Sequence, residues 1–170
     1  MTTSTLPYVL FILAFIVHDG EEIAMEHKWV MSHGDAVCAR FPMLRRLFNH
    51  LRRLSTKAFA IAVMEELAVL IVITVYALFG GPYAAELWSA AFIAFSIHLV
   101  VHVVQSIIVR GYVPGLVTSI LLLPLSYFGM KSICDIFTPS QLLLYGAIGV
   151  VIMVTNLAFA HWLGMKMVKH

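Results

Sequence analysis

Charge is scarce in this chain. Of its 170 residues only 12% are Asp, Glu, Lys or Arg, against 61% hydrophobic, with a mean hydropathy of +0.94. So few polar side chains could not cover the surface of a soluble domain of this size, which points to an integral membrane protein. Cysteine is nearly absent. Cys38 and Cys134 are assigned to loops on opposite faces of the membrane, which excludes a disulfide within the chain. No basic residue occurs between Met1 and Pro7, and no small-x-small site follows the first apolar run, so no cleavable signal is expected. Internal repeats of the kind many transporters show are also missing, and nucleic acid is not expected as a partner.

The residues present fit one all-α domain covering the whole chain, a polytopic transmembrane helix bundle of about five spans, since each crossing needs about 20 residues. The spans are expected at about 6–24, 57–79, 84–109, 113–130 and 141–163. Between the first two lies a polar stretch, 26–56. Within it Met43, Leu44, Leu47, Phe48, Leu51 and Leu54 recur at helical spacing among Arg45, Arg46, Arg52 and Arg53. That pattern predicts one amphipathic helix in the headgroup region, with the four arginines meeting anionic lipid. With five spans every basic residue except Lys131 falls on one side, so the positive-inside rule puts the N-terminus outside and the C-terminus in the cytoplasm.

The chain is organised around His18-Asp19-Gly20-Glu21-Glu22, which interrupts the first apolar run, Leu6 to Val17. An acidic group at the centre of a bilayer helix costs roughly 2.5–3.5 kcal/mol, so a partner, a proton or a metal has to compensate it. A helix rises about 1.5 Å per residue, which puts Glu21, Glu22, Glu65, Glu66, His102 and His161 roughly 8–14 Å below the cytoplasmic boundary, with His18, Asn156 and His98 nearer the midplane. Four helices thus bring ionisable groups to one layer. His18, Glu21 and Glu22 fit one helix face, as do His98, His102 and Gln105, whereas Glu65 and Glu66 diverge by about 100°. His27, His33, His50, His170, Glu86 and Asp135 are expected to be solvated.

Carboxylates and imidazoles converging from several helices suit a metal site. The ligand pool is His18, Glu21, Glu22, Glu65, Glu66, His98, His102 and His161, and the cofactor is a divalent metal, iron or zinc, as one ion or a pair. The expected function is a membrane-embedded metal-dependent enzyme of di-iron oxidase or zinc hydrolase type. It would act on a small amphipathic or lipid-like substrate from the cytoplasmic leaflet. The alternatives are a metal-free hydrolase with Glu65 or Glu66 as the catalytic general base, and a proton or metal-ion transporter.

At these residues the sequence resembles the bacterial integral membrane proteins named for their HxxEE motif, matched by His18-Asp19-Gly20-Glu21-Glu22. Glu65-Glu66, His98-x-x-x-His102 and the stretch from Asn156 to His161 supply the later polar positions. The resemblance implies a multi-pass protein of the bacterial inner membrane and supplies no reaction. A weaker likeness is to intramembrane CAAX-type proteases with their EExxxR motif: Glu65-Glu66 matches its start, and Leu70 stands where arginine is expected.

Overall fold

The computed structural model describes residues 5–168. Its elements are α1 (Leu6–Arg40), a short 3-10 turn (Pro42–Leu44), α2 (Arg45–Leu51), α3 (Thr56–Leu78), α4 (Ala84–Val109), α5 (Leu116–Cys134) and α6 (Pro139–Val168). This is the all-α bundle expected. Among the described residues four helices, α3, α4, α5 and α6, are long and apolar enough to cross a membrane. The N-terminal part of α1 carries Asp19, Glu21 and Glu22 within its apolar stretch and does not meet that measure. Its outward face is nevertheless apolar, with Leu6, Val9, Leu13, Ile16 and Val17 exposed. His170 and Lys169 lie outside the described residues.

Helix bounds differ from the sequence expectation where local signals compete. Where the first span was expected to stop near residue 24, α1 continues to Arg40 for 35 residues. At about 1.5 Å per residue that is about 52 Å, well beyond a hydrocarbon core of about 30 Å. Nothing in residues 26–40 breaks a helix except a single glycine, Gly34. The stop comes from Pro42, which pushes the preceding residue out of the helical region, and Phe41 sits at φ −129°, ψ 78°. The start of α5, expected at 113, is delayed to Leu116 because Gly115 adopts the left-handed region at φ +80°.

The short amphipathic helix α2 folds back on this extension. Phe48 is buried against Val30, Val37 and Cys38, and Arg52 pairs with Asp35. Met43 and Leu47 stay exposed, so the apolar stripe is divided between the α1 extension and the open side. Neither cysteine lies in a loop: Cys38 is buried in α1, and Cys134 is exposed as the last residue of α5.

Within the bundle α4 packs against α3, α5 and α6, and α1 packs on α3, α4 and α5. One core cluster is built from Phe11, Ala14, Leu70, Phe92, Phe95 and Leu99, a second from Leu54, Ala58, Phe59 and Val63. Two contacts set the spacing of α6. A Cβ on Gly149 would lie 2.2 Å from the Ala90 carbonyl oxygen, and one on Gly164 would lie 2.1 Å from that of Ala58. These are small-residue approaches of one backbone to another, the means by which helices associate when lipid offers no hydrophobic drive.

Helix propensity alone favours alanine over glycine by about 1 kcal/mol. Gly149→Ala and Gly164→Ala are therefore informative, because the expected sign is the opposite. Each forces backbone apart and lowers stability by about 1–3 kcal/mol, whereas Gly20→Ala, with nothing within 4 Å of the new Cβ, is neutral or stabilising. Thermal unfolding of the three variants in one detergent checks the contrast.

Candidate metal centre

The inward stripe of α1 runs Phe11, Ala14, His18, Glu22, with steps of three or four residues. The polar groups therefore continue the line of the core. His18 is fully buried, and Glu22 and Asp19 are 8% and 5% exposed. From α4, His98 and His102 stack one turn apart and meet this stripe. The His102 Nε2 is 3.0 Å from Glu22 Oε1 and 3.0 Å from His98 Nε2, and His98 Nε2 is 4.0 Å from the same carboxylate oxygen. The His18 ring lies edge-on to both, with centroids 5.0 Å from each. One donor atom from each of His18, Glu22, His98 and His102 lies within 4.8 Å of all the others.

The hydrogen bonds around His18 determine which of its nitrogens is free. Thr118 Oγ1 is 2.6 Å from Glu21 Oε2 and 3.3 Å from the Gly115 carbonyl, so the hydroxyl hydrogen goes to the carboxylate. The same oxygen is 3.0 Å from His18 Nδ1 and must accept from it. His18 therefore carries its hydrogen on Nδ1. Its Nε2 keeps a lone pair, buried and without a hydrogen-bond partner. A hydrogen bond from one ring nitrogen fixing the tautomer and freeing the other is the arrangement found around metal-bound histidine. On α4 the position is also unsatisfied, because one hydrogen on His102 Nε2 would have to serve both Glu22 and His98.

Glu21 does not join this cluster. Its carboxylate caps α5, accepting from the Thr118 amide at 2.8 Å, the Val117 amide at 3.3 Å and the Tyr112 hydroxyl at 2.7 Å. Burial, and then the Glu21 carboxylate beside it, push the Tyr112 phenol above its ordinary range, so it remains a donor. Gly115 brings the α5 start against the two rings: a Cβ there would be 2.9 Å from His102 Cε1 and 3.0 Å from His18 Cε1.

Three further members of the expected ligand pool lie elsewhere. Glu65 accepts from Asn156 Nδ2 at 3.0 Å. Glu66 lines a cavity shared with Glu22 and His98. His161 faces His50 at 3.3 Å and packs on Phe59. His50 is thus half-buried rather than solvated, His27 is half-buried with its Nδ1 3.0 Å from the Leu54 carbonyl, and Glu86 is half-buried at the start of α4. His33 and Asp135 are exposed as expected, and so is Gln105, away from His98 and His102. Asp19 was named in the central motif and left out of the ligand pool, and Tyr112, Gly115 and Thr118 were not singled out. Only Asp19 had a signal, standing three residues before Glu22 on the buried stripe.

The cavity measures about 160 Å³ and lies between α1, α3, α4 and α6. Asp19, Glu22, Glu66, His98 and Asn156 form its polar wall, and Phe11, Phe15, Leu70, Ile73, Ala94 and Phe95 belong to its apolar one.

A family model described as "protein of unknown function with HXXEE motif" matches residues 9–129. The match takes in the motif, Glu65-Glu66, His98, His102 and the start of α5, and it ends before Asn156 and His161. No curated protein and no solved structure matches, so the likeness to CAAX-type proteases gains no support.

Thr118→Val keeps the shape and removes both hydrogen bonds of the hydroxyl, leaving the buried His18 Nδ1–H without an acceptor. The expected loss is about 1–3 kcal/mol of stability, together with a mixed His18 tautomer in imidazole nitrogen NMR. Thr118→Ser should retain the single tautomer. An unchanged His18 signal in Thr118→Val would remove Thr118 from the control of that ring.

Proposed function

Because the chain belongs to the HXXEE-motif family of unknown function, the reading has to come from the site itself, and we propose that the protein is a membrane-embedded metal-dependent enzyme acting on an amphipathic or lipid-like substrate. The observation that carries this is the approach of His18, Glu22, His98 and His102 to within 4.8 Å of one another, together with the unpartnered His18 Nε2. Three neutral imidazoles and one carboxylate suit zinc or iron. Among the described residues one such group occurs, which favours a single ion over a pair. Bound there, the ion would supply Lewis-acid activation of water or, as iron, activation of dioxygen.

The remaining roles follow from position. His18 and His102 are sealed in the bundle and hold. Glu22 and His98 also line the cavity, so reacting atoms would be presented on their side. Glu66 reaches the same cavity from α3 and is placed to move a proton as general base, while Glu65 orients Asn156. Glu21, through Thr118, is a positioning residue. The apolar wall limits the site's access to bulk water and accepts hydrocarbon.

The proposal includes a location, the inner membrane, with α1 as a fifth crossing and the N-terminus outside. Its support is the exposed apolar face of α1 and the gathering of Lys28, Arg40, Arg45, Arg46, Arg53, Lys57, Arg110 and Lys166 at the opposite end of the spans. Arg45, Arg46 and Arg53 remain candidates for anionic lipid, whereas Arg52 is engaged by Asp35.

If the four residues share one ion, removing any one leaves the other buried polar groups uncompensated, which typically costs about 3–5 kcal/mol, and effects within one network are not additive. Glu22→Gln and His102→Ala should each reduce bound zinc or iron and lower thermal stability, and the double variant should be little worse than either. Glu86→Gln, at the far end of α4, should do neither. Independent, additive losses would overturn the shared site. Protein purified gently without metal, and unchanged by added zinc or iron, would overturn the metal reading. Activity that persists in chelator would instead favour Glu66 acting alone.

A further inference from the structure

The cavity's polar end offers an unusual set of groups. Asp19 is 5% exposed and lies on the cavity wall. Glu66 faces the same space from α3. Asn156 gives its Nδ2 to Glu65, which leaves its carbonyl oxygen to accept. Two carboxyl groups and a carbonyl thus line one apolar chamber, and the donors beside them are few: the second Asn156 N–H, and His98, which is already turned toward Glu22 and His102. A divalent ion held by the histidines has one positive charge left after Glu22, enough for one of Asp19 and Glu66 and not for both.

Away from this end the walls are hydrocarbon and aromatic. From Asp19 to Phe11 is eight residues of helix, about 12 Å, and Phe11, Phe15, Leu70, Ile73, Leu87 and Phe95 line the way. The volume of about 160 Å³ is close to the ~150 Å³ apolar cavity that takes up benzene. That is room for one hydrocarbon chain or ring.

We propose that this chamber binds a single-chain amphiphile with a basic, amine-type head, the ammonium among Asp19, Glu66 and the Asn156 carbonyl and the hydrocarbon along the Phe11–Phe95 wall. An ammonium has three donors and no acceptor, the complement of what the polar end presents. A carboxylate or phosphate head would meet the carboxyl groups of Asp19, Glu66 and Glu22, with more acceptors than donors to receive it. The inference deepens the enzyme reading by naming its substrate class, and it places the first carbon of the chain beside His98 and Glu22.

The test uses the full chain in zwitterionic lipid nanodiscs with three octyl probes, each bearing a diazirine at the chain end and differing only in head group: amine, alcohol or carboxylate. The amine should label peptides carrying Phe11, Ile73 or Leu87, about ten-fold or more above the carboxylate, the order of effect expected from one hydrogen bond to a charged group. Ala94→Trp, which fills the chamber, should abolish that labelling. Asp19→Asn with Glu66→Gln should bring the amine down to the level of the alcohol. Equal labelling by amine and carboxylate overturns the proposal, as does amine labelling that survives Ala94→Trp. Should the double variant fail to fold, the probe series on the native chain and the single Ala94→Trp change still decide. Metal analysis of the same samples separates the two readings. Selective amine labelling of metal-free protein supports the chamber even if the enzyme reading falls, and its absence from protein holding zinc or iron overturns the chamber and leaves that reading standing.

Discussion

The contact between Glu22 and His102 is the constraint from which the bundle's arrangement follows. A carboxylate removed from water inside a hydrocarbon-bounded bundle costs several kcal/mol unless a partner with good geometry receives it. Glu22 is brought there by the same stripe that buries Phe11 and Ala14, so α1 cannot pack its apolar face without also burying the acid. Among the described helices packed on α1, α4 presents imidazole nitrogens at this level, and it does so because His98 and His102 extend the face that carries Phe95 and Leu99. Packing and electrostatics therefore ask for one and the same alignment of α1 with α4.

That alignment is held from the side by α5. The α5 N-terminus presents backbone N–H groups and the positive end of a helix dipole, and Glu21 satisfies them while Thr118 links it to His18. A helix that starts this close to two imidazoles needs a residue without a Cβ and tolerant of positive φ. Gly115 meets both requirements. Two adjacent acids of one motif thus do different work: Glu22 enters the cluster, and Glu21 fixes the helix that shapes it.

Much of this was legible in the sequence, and the failures share a cause. Helix positions followed from apolar length, and the importance of His18, Glu22, His98 and His102 followed from charge placed where lipid forbids it. Depth is a single coordinate, however. Glu65 and His161 lie at a similar level and meet Asn156 and His50 instead, because rotation about each helix axis is set by packing that a single sequence does not display. The extension of α1 was misread for a related reason. Polarity after residue 24 signals departure from the bilayer, and it says nothing about departure from the helix, which ends only where Pro42 forces it to. Thr118 and Gly115 gave no signal, since a threonine and a glycine in an apolar span have ordinary structural uses.

The site divides into a closed half and an open half, and this division bears on how such a centre could work within a membrane. His18 and His102 are buried with α5 over them, whereas Glu22 and His98 reach the chamber, the His98 side chain keeping 27% of its exposure. In the closed half each ring is held by packing and, for His18, by a fixed tautomer, so the positions of these two rings are set by the fold itself. In the open half the carboxylate and the second imidazole share their space with Asp19, Glu66 and the apolar wall. The proposed amphiphile would bring its polar group there while its hydrocarbon remains in surroundings like the bilayer, so that no part of it would exchange its preferred solvent to reach the cluster. On the proposed reading, preorganised donors on one side and a chamber of mixed polarity on the other would turn a costly buried charge cluster into a usable one.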